Sequence, residues 1–173
     1  MPCSKYKAPS RIHIPISSSI LTSPQGILIS KILQQGYYGP SGGHREPFPV
    51  VSLEDFFTGN TDPYSIACNL DPHPGLDFIY SKLKEIRSRN DVQDVLVEIS
   101  EIDVEVIKSG EKNKWPCFSE IVYVITSAPA EEVAKWNKNL RADGPVKGWS
   151  QPIPPKIFSS VKYGDAIWQI IWD

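Results

Sequence analysis

A run of apolar residues, Ile121-Val122-Tyr123-Val124-Ile125, constrains the fold of this chain more than any other feature. Its β-branched and aromatic side chains favour a β-strand, which we expect to run from about Phe118 to Thr126. Successive side chains of a strand point to opposite faces of a sheet, so a strand that is apolar at every position has to be covered on both faces. The sequence therefore predicts a central strand that is buried on both sides.

Regular spacing elsewhere predicts two amphipathic helices and further strands. Leu76, Ile79, Leu83 and Ile86 recur every three or four positions, which is typical of a helix with one buried face. A second such helix follows Ser127, whose side chain can cap the first turn. The other predicted elements are a short helix at 53–58 and strands at 64–70, 92–99 and 166–173.

This order of elements, β-α-β-β-α-β, predicts an α+β fold of the ferredoxin-like type. That fold is a two-layer sandwich in which a four-stranded, mostly antiparallel sheet carries two helices on one face. Because crossovers between parallel strands are nearly always right-handed, strands 64–70 and 118–126 are expected to lie side by side in its centre. A fold of this type serves many activities, so it does not by itself imply a function.

The alternation of apolar residues changes phase near Ser100 and Glu101. Apolar positions are odd-numbered before this point and even-numbered after it, so we expect a bulge or the end of regular pairing there. If the strand continues, Glu101, Asp103 and Glu105 share one face and could bind a hard cation such as Mg²⁺ or Ca²⁺. The interpretation that we favour is a solvated edge strand whose charges resist aggregation.

The first 48 residues are predicted to be a loosely ordered, basic extension rich in Ser, Pro and Gly, followed by one α+β domain at 49–173. Residues 1–50 hold five basic side chains and one acidic one, whereas residues 51–173 hold 13 and 19, so the net charge of −2 divides into +4 and −6. A flexible tail is the favoured interpretation, and a transit peptide or a cover for the sheet are the alternatives. A short helix at about 27–35 could dock onto the domain.

Composition and motifs disfavour several functional classes. A net charge of −2 and a pI near 5.9 argue against nucleic-acid binding. No apolar run reaches the roughly eighteen residues that a membrane span needs. Three cysteines without metal-type spacing fit a reducing, cytoplasmic setting. No glycine-rich phosphate loop is present, so no cofactor is predicted.

In the predicted fold, the loops that follow the first and third strands meet at one edge of the sheet. Each loop leads into a helix whose first backbone N–H groups attract anions. The predicted ligand-binding residues there are Asn69, His73, Thr126 and Ser127. Cys68 could be a nucleophile with His73 as its base, but its place on an apolar strand face favours a buried structural role.

The predicted sheet also has an apolar face without helices. Tyr123, Trp168 and Trp172 are the candidate contact residues, since an exposed apolar face of this size usually meets a partner. The candidate covers are another protein, a second copy of the chain, or the N-terminal segment with the helix at 53–58. The alternative is cover from within the domain, by residues 49–60 and the Pro-rich crossing at 145–155.

The sequence therefore favours a non-enzymatic protein-interaction module. Such an acidic, single-domain protein would bind a protein partner or itself through the apolar sheet face or the acidic rim. The alternative is a domain that binds a small molecule or an anion, or a small enzyme, with the loops after the first and third strands. The lack of recognisable enzyme motifs favours the interaction module.

Overall fold

The computed structural model describes residues 22–36, 47–111, 113–156, 158 and 160–173, and its centre is a five-stranded antiparallel sheet. In space the strands follow the order β1 (Val50–Ser52), β2 (Val92–Glu98), β5 (Ile121–Thr126), β7 (Ala166–Ile171) and β6 (Asp143–Lys147). Two short strands, β3 (Glu101–Ile102) and β4 (Cys117–Phe118), pair separately. The helices are α1 (Pro24–Gln34), α2 (Leu53–Phe57), α3 (Leu76–Arg87), α4 (Val104–Ser109) and α5 (Ala130–Asn139). None of these helices combines the length and the apolar character needed to cross a lipid bilayer.

The central position predicted for the apolar strand is confirmed. β5 lies between β2 and β7, and its residues 122–126 are all buried. Val124 lies opposite Val95 on β2 and Trp168 on β7, and these three side chains belong to the face that the helices cover. Tyr123, the neighbour of Val124, points to the opposite face. The strand therefore separates two layers of side chains, each of which needs its own cover.

A ferredoxin-like arrangement is not confirmed, because residues 64–70 do not form a strand. Pro63 begins a short 3-10 turn, and Ala67 has a positive φ of 55°, which is incompatible with extended backbone. The expected pairing with the central strand is reduced to one parallel bridge between Ile66 and Ser119. The fold is α+β with a mostly antiparallel sheet, as predicted, but β1 and β6 occupy its two edges.

Regular pairing of β2 ends where the change of phase predicts it. β2 stops at Glu98, and Glu101–Ile102 pairs with β4 instead of continuing along the sheet. From Val104 the chain is helical, so the even-numbered apolar positions belong to α4 and not to a strand. The premise that three acidic side chains alternate along one strand is therefore wrong.

Both predicted amphipathic helices form, and they cover the first face of the sheet. α3 buries Ile79, Leu83 and Ile86, and α5 buries Val133 and Trp136. These side chains share one apolar core with the inward residues of β2, β5 and β7. Burial of side chains of this size is the main favourable contribution to folding, at about 1.5–3 kcal/mol each.

Residues 148–156, 158 and 160–162, which we name the strap, lie across the second face of the sheet. The ring of Trp149 packs edge-on against Tyr123, with 4.6 Å between ring centroids, and Phe158 packs against Trp149 at 4.9 Å. Part of the Pro-rich crossing at 145–155 therefore covers this face from within the chain.

Side-chain amides hold both ends of the strap. At its start, Gln169 Nε2 donates to the carbonyl oxygen of Gly148 at 2.9 Å. Near its end, Gln93 Nε2 donates to the Ser160 carbonyl oxygen at 3.0 Å, and Gln93 Oε1 accepts from the Lys162 N–H at 2.9 Å. Each amide satisfies backbone groups that a segment without regular secondary structure leaves unpaired.

Helix α1 packs into the core of the domain. Its Leu28, Ile29 and Ile32 side chains are buried and belong to the main apolar cluster. The core thus includes residues that composition assigns to the extension, and the predicted helix at 27–35 is docked. The rest of that extension, residues 1–21 and 37–46, lies outside the described residues.

The end of α1 closes one edge of the sheet through the side chain of Gln35. Its Nε2 donates to the carbonyl oxygen of Val50 at 2.8 Å, and its Oε1 accepts from the Val50 N–H at 3.0 Å. Val50 belongs to the edge strand β1, so the amide stands where the peptide group of a further strand would pair.

Replacement of Gln35 by alanine should destabilise the fold, because it leaves two buried backbone groups without partners. We expect the free energy of unfolding to fall by about 1–3 kcal/mol. Urea unfolding followed by tryptophan fluorescence measures this change. Gln34→Ala is the matched control, since Gln34 is exposed on the same helix. Equal stability of the two variants would show that the amide pairing contributes nothing.

Candidate functional site

A cleft of about 400 Å³ opens beside the beginning of the strap. It lies between the end of β2, the start of β5 and the turn at 63–68. Its lining includes the glutamates Glu98, Glu101 and Glu120, the aromatic residues Tyr64 and Phe118, and Ser150 of the strap. Clefts of this volume fall within the range of small-molecule sites.

Glu98 is the buried acid of this cleft. It ends β2 on the second face of the sheet, and only 3% of its surface is exposed. Its Oε2 accepts hydrogen bonds from the Tyr123 hydroxyl and from Ser150 Oγ, the latter at 2.6 Å. The backbone N–H of Ser150 in turn donates to the Tyr123 hydroxyl oxygen at 3.1 Å. One carboxylate oxygen thus ties the strap to two neighbouring strands.

The surroundings of Glu98 favour its protonated form. Burial raises the pKa of this carboxyl group above its usual range, because loss of water disfavours the charge. Hydrogen bonds from Ser150 and Tyr123 lower the pKa in part, and the negative charge of Glu120 raises it further. Burial also raises the pKa of Tyr123, so its hydroxyl keeps its proton at neutral pH and remains a hydrogen-bond donor.

The rim of the cleft is acidic and aromatic. Glu101 and Glu120 are exposed, and none of the described lining residues is Lys or Arg. Tyr64 has 58% of its surface exposed, and Phe118 is half-buried. Negative charge and aromatic faces in one concave surface attract a cationic group.

Cys68 lines the same cleft, but His73 is not available to act as its base. His73 Nε2 lies 2.9 Å from the Ile66 carbonyl oxygen, and its Nδ1 accepts from the Gly75 N–H at 3.0 Å. Both ring nitrogens are thus occupied in holding the turn. The expectation that Cys68 is buried is wrong, because the positive φ of Ala67 ends the alternation and leaves the thiol exposed.

The four residues predicted to bind a ligand do not converge. Asn69 donates to the backbone oxygen of Asp173, just beyond the end of β7 that pairs with the start of β5. Thr126 and Ser127 lie at the opposite end of β5, and both hydroxyls donate to the carbonyl oxygen of Asp91. The predicted site depended on two parallel strands, and this sheet has none.

The three candidate contact residues of the sheet face do not share a surface. Trp172 is buried on the helix-covered side, where its Nε1 donates to the Leu140 carbonyl oxygen at 3.1 Å. Trp168 is partly buried on the same side, and Tyr123 is buried on the other side beneath the strap. None of them forms an open apolar patch.

The acidic residues considered as metal ligands lie in separate local structures. Glu101 is in β3, while Asp103 caps helix α4 by accepting from the N–H groups of Glu105 and Val106 at 3.0 Å. Glu105 forms an exposed ion pair with Lys108. Within the described residues, no group of three side chains is placed to hold a metal ion.

Sequence reasoning missed the partnership of Glu98, Tyr123 and Ser150. The available signal was local: Glu98 interrupts an otherwise apolar end of β2, and strands buried on both faces seldom carry an unpaired acid. Ser150 lies 52 positions away in an irregular segment, so spacing alone could not identify it as the partner.

Glu98→Gln should change how stability depends on pH. The folded-state pKa of Glu98 is raised, so its contribution is full below the unfolded pKa near 4.5 and is lost as pH rises through the folded pKa. The wild-type free energy of unfolding should therefore decline relative to that of the variant over this window. Urea unfolding at pH values from about 4 to about 8 measures the difference. A constant difference at every pH would contradict the shift.

Comparison with known proteins identifies a family but no solved structure. A family model with the description "Uncharacterized protein YfbO family" matches residues 29–170, a range that includes Glu98, Tyr123 and Ser150. The "Uncharacterized protein YfbO" of Escherichia coli (strain K12) is 42% identical over 106 residues, which cover 61% of this chain and 69% of the relative. No solved structure matches the chain. Because the family model covers most of its length, this chain belongs to the YfbO family.

Proposed function

We propose that this protein is a non-enzymatic binding module that takes a basic segment of a partner protein into the acidic cleft. The observation that carries the proposal is the cleft itself, with about 400 Å³ of space and the exposed glutamates Glu101 and Glu120 on its rim. Charge complementarity of this kind steers encounter and selects against partners of like charge. The net charge of −6 over residues 51–173 acts in the same direction.

The partner is expected to contact the rim of the cleft and not an open sheet face. Trp172 lies under the helices and Tyr123 under the strap, so neither side chain is available to a partner. Tyr64 and Phe118 provide aromatic surface at the rim instead. Aromatic anchors surrounded by polar residues are common at protein interfaces.

A binding role fits the site better than catalysis by Cys68 and His73, because His73 is committed to its turn. The proposal includes a reducing, cytoplasmic setting, which the free thiols of Cys68 and Cys117 support. No cofactor is required for this role.

The volume of the cleft favours a second candidate function, the binding of a small organic cation. Small-molecule sites occupy roughly 300–1,000 Å³, and this cleft falls at the lower end of that range. Competition between a free amine and a basic peptide for the cleft separates the two functions.

Neutralising the rim should weaken the binding of a basic peptide. We expect the double variant Glu101→Gln/Glu120→Gln to bind a fluorescein-labelled nonapeptide of alternating lysine, arginine and glycine about fivefold more weakly than wild type, since each exposed charge contributes a fraction of a kcal/mol. Fluorescence anisotropy at low ionic strength gives the affinities.

The matched control is Glu105→Gln/Glu131→Gln, which changes the net charge equally at exposed positions that are not among the cleft residues. Equal weakening by both double variants would show that the peptide responds to overall charge and not to the cleft. Sedimentation of the unliganded protein tests self-association: a dimer that only the rim variant dissociates would make a second copy the occupant.

A further inference from the structure

The first residue of the strap is fixed to the sheet and forms a pivot for the residues that follow. The N–H of Gly148 donates to the Ile167 carbonyl oxygen, and its own carbonyl oxygen accepts from Gln169, each at 2.9 Å. Its φ is 98°, and no described atom beyond its chain neighbours lies within 4 Å of the position that a Cβ would take. Glycine adopts such a φ without strain, and the open space leaves room for the chain to turn there. Detachment of the strap at this end would therefore begin at Trp149.

Contacts with Tyr123 and Glu98 hold residues 149–151 against the second face of the sheet. The ring of Trp149 packs edge-on against Tyr123, and Ser150 Oγ donates to Glu98 Oε2 at 2.6 Å. Ser150 is exposed, whereas only 3% of the surface of Glu98 is exposed. This hydrogen bond thus joins a buried carboxyl group to a residue at the protein surface. Displacement of Ser150 would admit water to the carboxyl group.

The charge state of Glu98 decides how stable this fastening is. As a neutral carboxyl group, Glu98 offers its carbonyl oxygen to both hydroxyl donors, and no ion has to be hydrated. As a carboxylate it needs a positive charge or water, because burial of an unpaired charge is costly. None of the described residues that line the cleft is Lys or Arg, so the lining supplies no positive charge. Ionisation therefore favours an arrangement that brings water to Glu98.

The titratable groups around Glu98 do not compensate for its charge. Those that line its cleft are Tyr64, Cys68, Glu101 and Glu120, and the strap and the segment before β1 contribute only the uncharged Ser150, Gln151 and Phe48. Burial raises the pKa of Glu98, and the negative charge of Glu120 adds to this effect. Because the folded-state pKa is raised, the closed strap is stabilised at low pH. It loses that stabilisation as pH rises through the folded-state pKa.

We propose that Glu98 is a pH-sensitive fastening of the strap: in its protonated form it holds residues 149–151 on the sheet, and its ionisation releases them. Release breaks the hydrogen bond from Ser150 Oγ and separates the Trp149 ring from Tyr123, while Gly148 stays on β7. The cleft then loses the part of its wall that Ser150 and Gln151 form. This device goes beyond the proposed function, and it operates whether or not the cleft binds a partner.

An NMR titration of the full chain without ligand tests the release. The carboxyl carbon of Glu98 reports ionisation, and the indole N–H of Trp149, assigned by its loss in Trp149→Phe, reports the surroundings of the ring. We expect both signals to change with one midpoint between about pH 4 and about pH 8. The protection of the Ser150 amide from hydrogen exchange, corrected for the intrinsic pH dependence, should fall at least about threefold across this midpoint. The Gly148 amide should keep its protection, since it pairs with Ile167.

Two variants assign the transition to Glu98. Glu98→Gln has no charge to gain, so its Trp149 signal and its Ser150 protection should not change with pH, and circular dichroism verifies that it is folded. Glu120→Gln removes an exposed negative charge that raises the pKa of Glu98, so it should move the midpoint to lower pH by about 0.3, the size expected of one exposed charge. This second variant decides the question even if Glu98→Gln does not fold. Glu131→Gln is the matched control, because Glu131 is exposed on α5 and is not one of the cleft residues.

Titration of Glu98 without a change at Trp149 or Ser150 would overturn the proposal, because the carboxylate would then be hydrated beneath a closed strap. A Trp149 transition that persists in Glu98→Gln, or equal midpoint shifts in Glu120→Gln and Glu131→Gln, would overturn the assignment to Glu98. Loss of protection at Gly148 together with Ser150 would show general unfolding in place of a local release. No peptide or other ligand takes part, so failure here is distinct from failure of the proposed function.

Discussion

The whole architecture follows from a strand that is apolar on both sides. Because β5 presents Val122 and Val124 to one face and Tyr123 and Ile125 to the other, water has to be excluded from both. α3 and α5 exclude it from the first face by ordinary helix-on-sheet packing. The second face has no helix, and the strap covers it with the rings of Trp149 and Phe158. An irregular segment can do this only where its own backbone groups are satisfied, which explains why side-chain amides meet it at both ends.

The cleft is a by-product of this solution. An irregular segment does not cover a twisted sheet as continuously as a helix layer does, and the concave space lies where Ser150 and Gln151 border the sheet. Glu98 lies at that border and is buried, yet a buried carboxyl group is a poor source of stability, because its desolvation offsets much of what its hydrogen bonds contribute. The same hydrogen bonds that fasten the strap also hold the carboxylate in a fixed orientation.

Sequence patterns revealed what depends on near neighbours and missed what depends on distant ones. β5, α3 and α5 were predictable because their apolar residues follow one another in the strand or recur every three or four residues in the helices. Residues 64–70 do not form the expected strand. Pro63 and the positive φ of Ala67 outweigh the alternation of Ile66, Cys68 and Leu70. Asp103 looked like part of a carboxylate row, whereas it starts a helix. The link between Glu98 and Ser150 joins positions far apart in the chain, and only the complete fold brings them together.

Gln35 also determines which kinds of partner can approach the sheet. An edge strand with free N–H and C=O groups recruits extended segments of other chains through backbone pairing, without much regard to their sequence. The carboxamide of Gln35 occupies both groups of Val50 on one edge, and Pro145 in β6 has no N–H to offer on the other. Strand addition is therefore disfavoured at both edges. Backbone pairing alone would therefore gain little at this sheet, and any segment that associated with it would have to be held mainly by side-chain contacts.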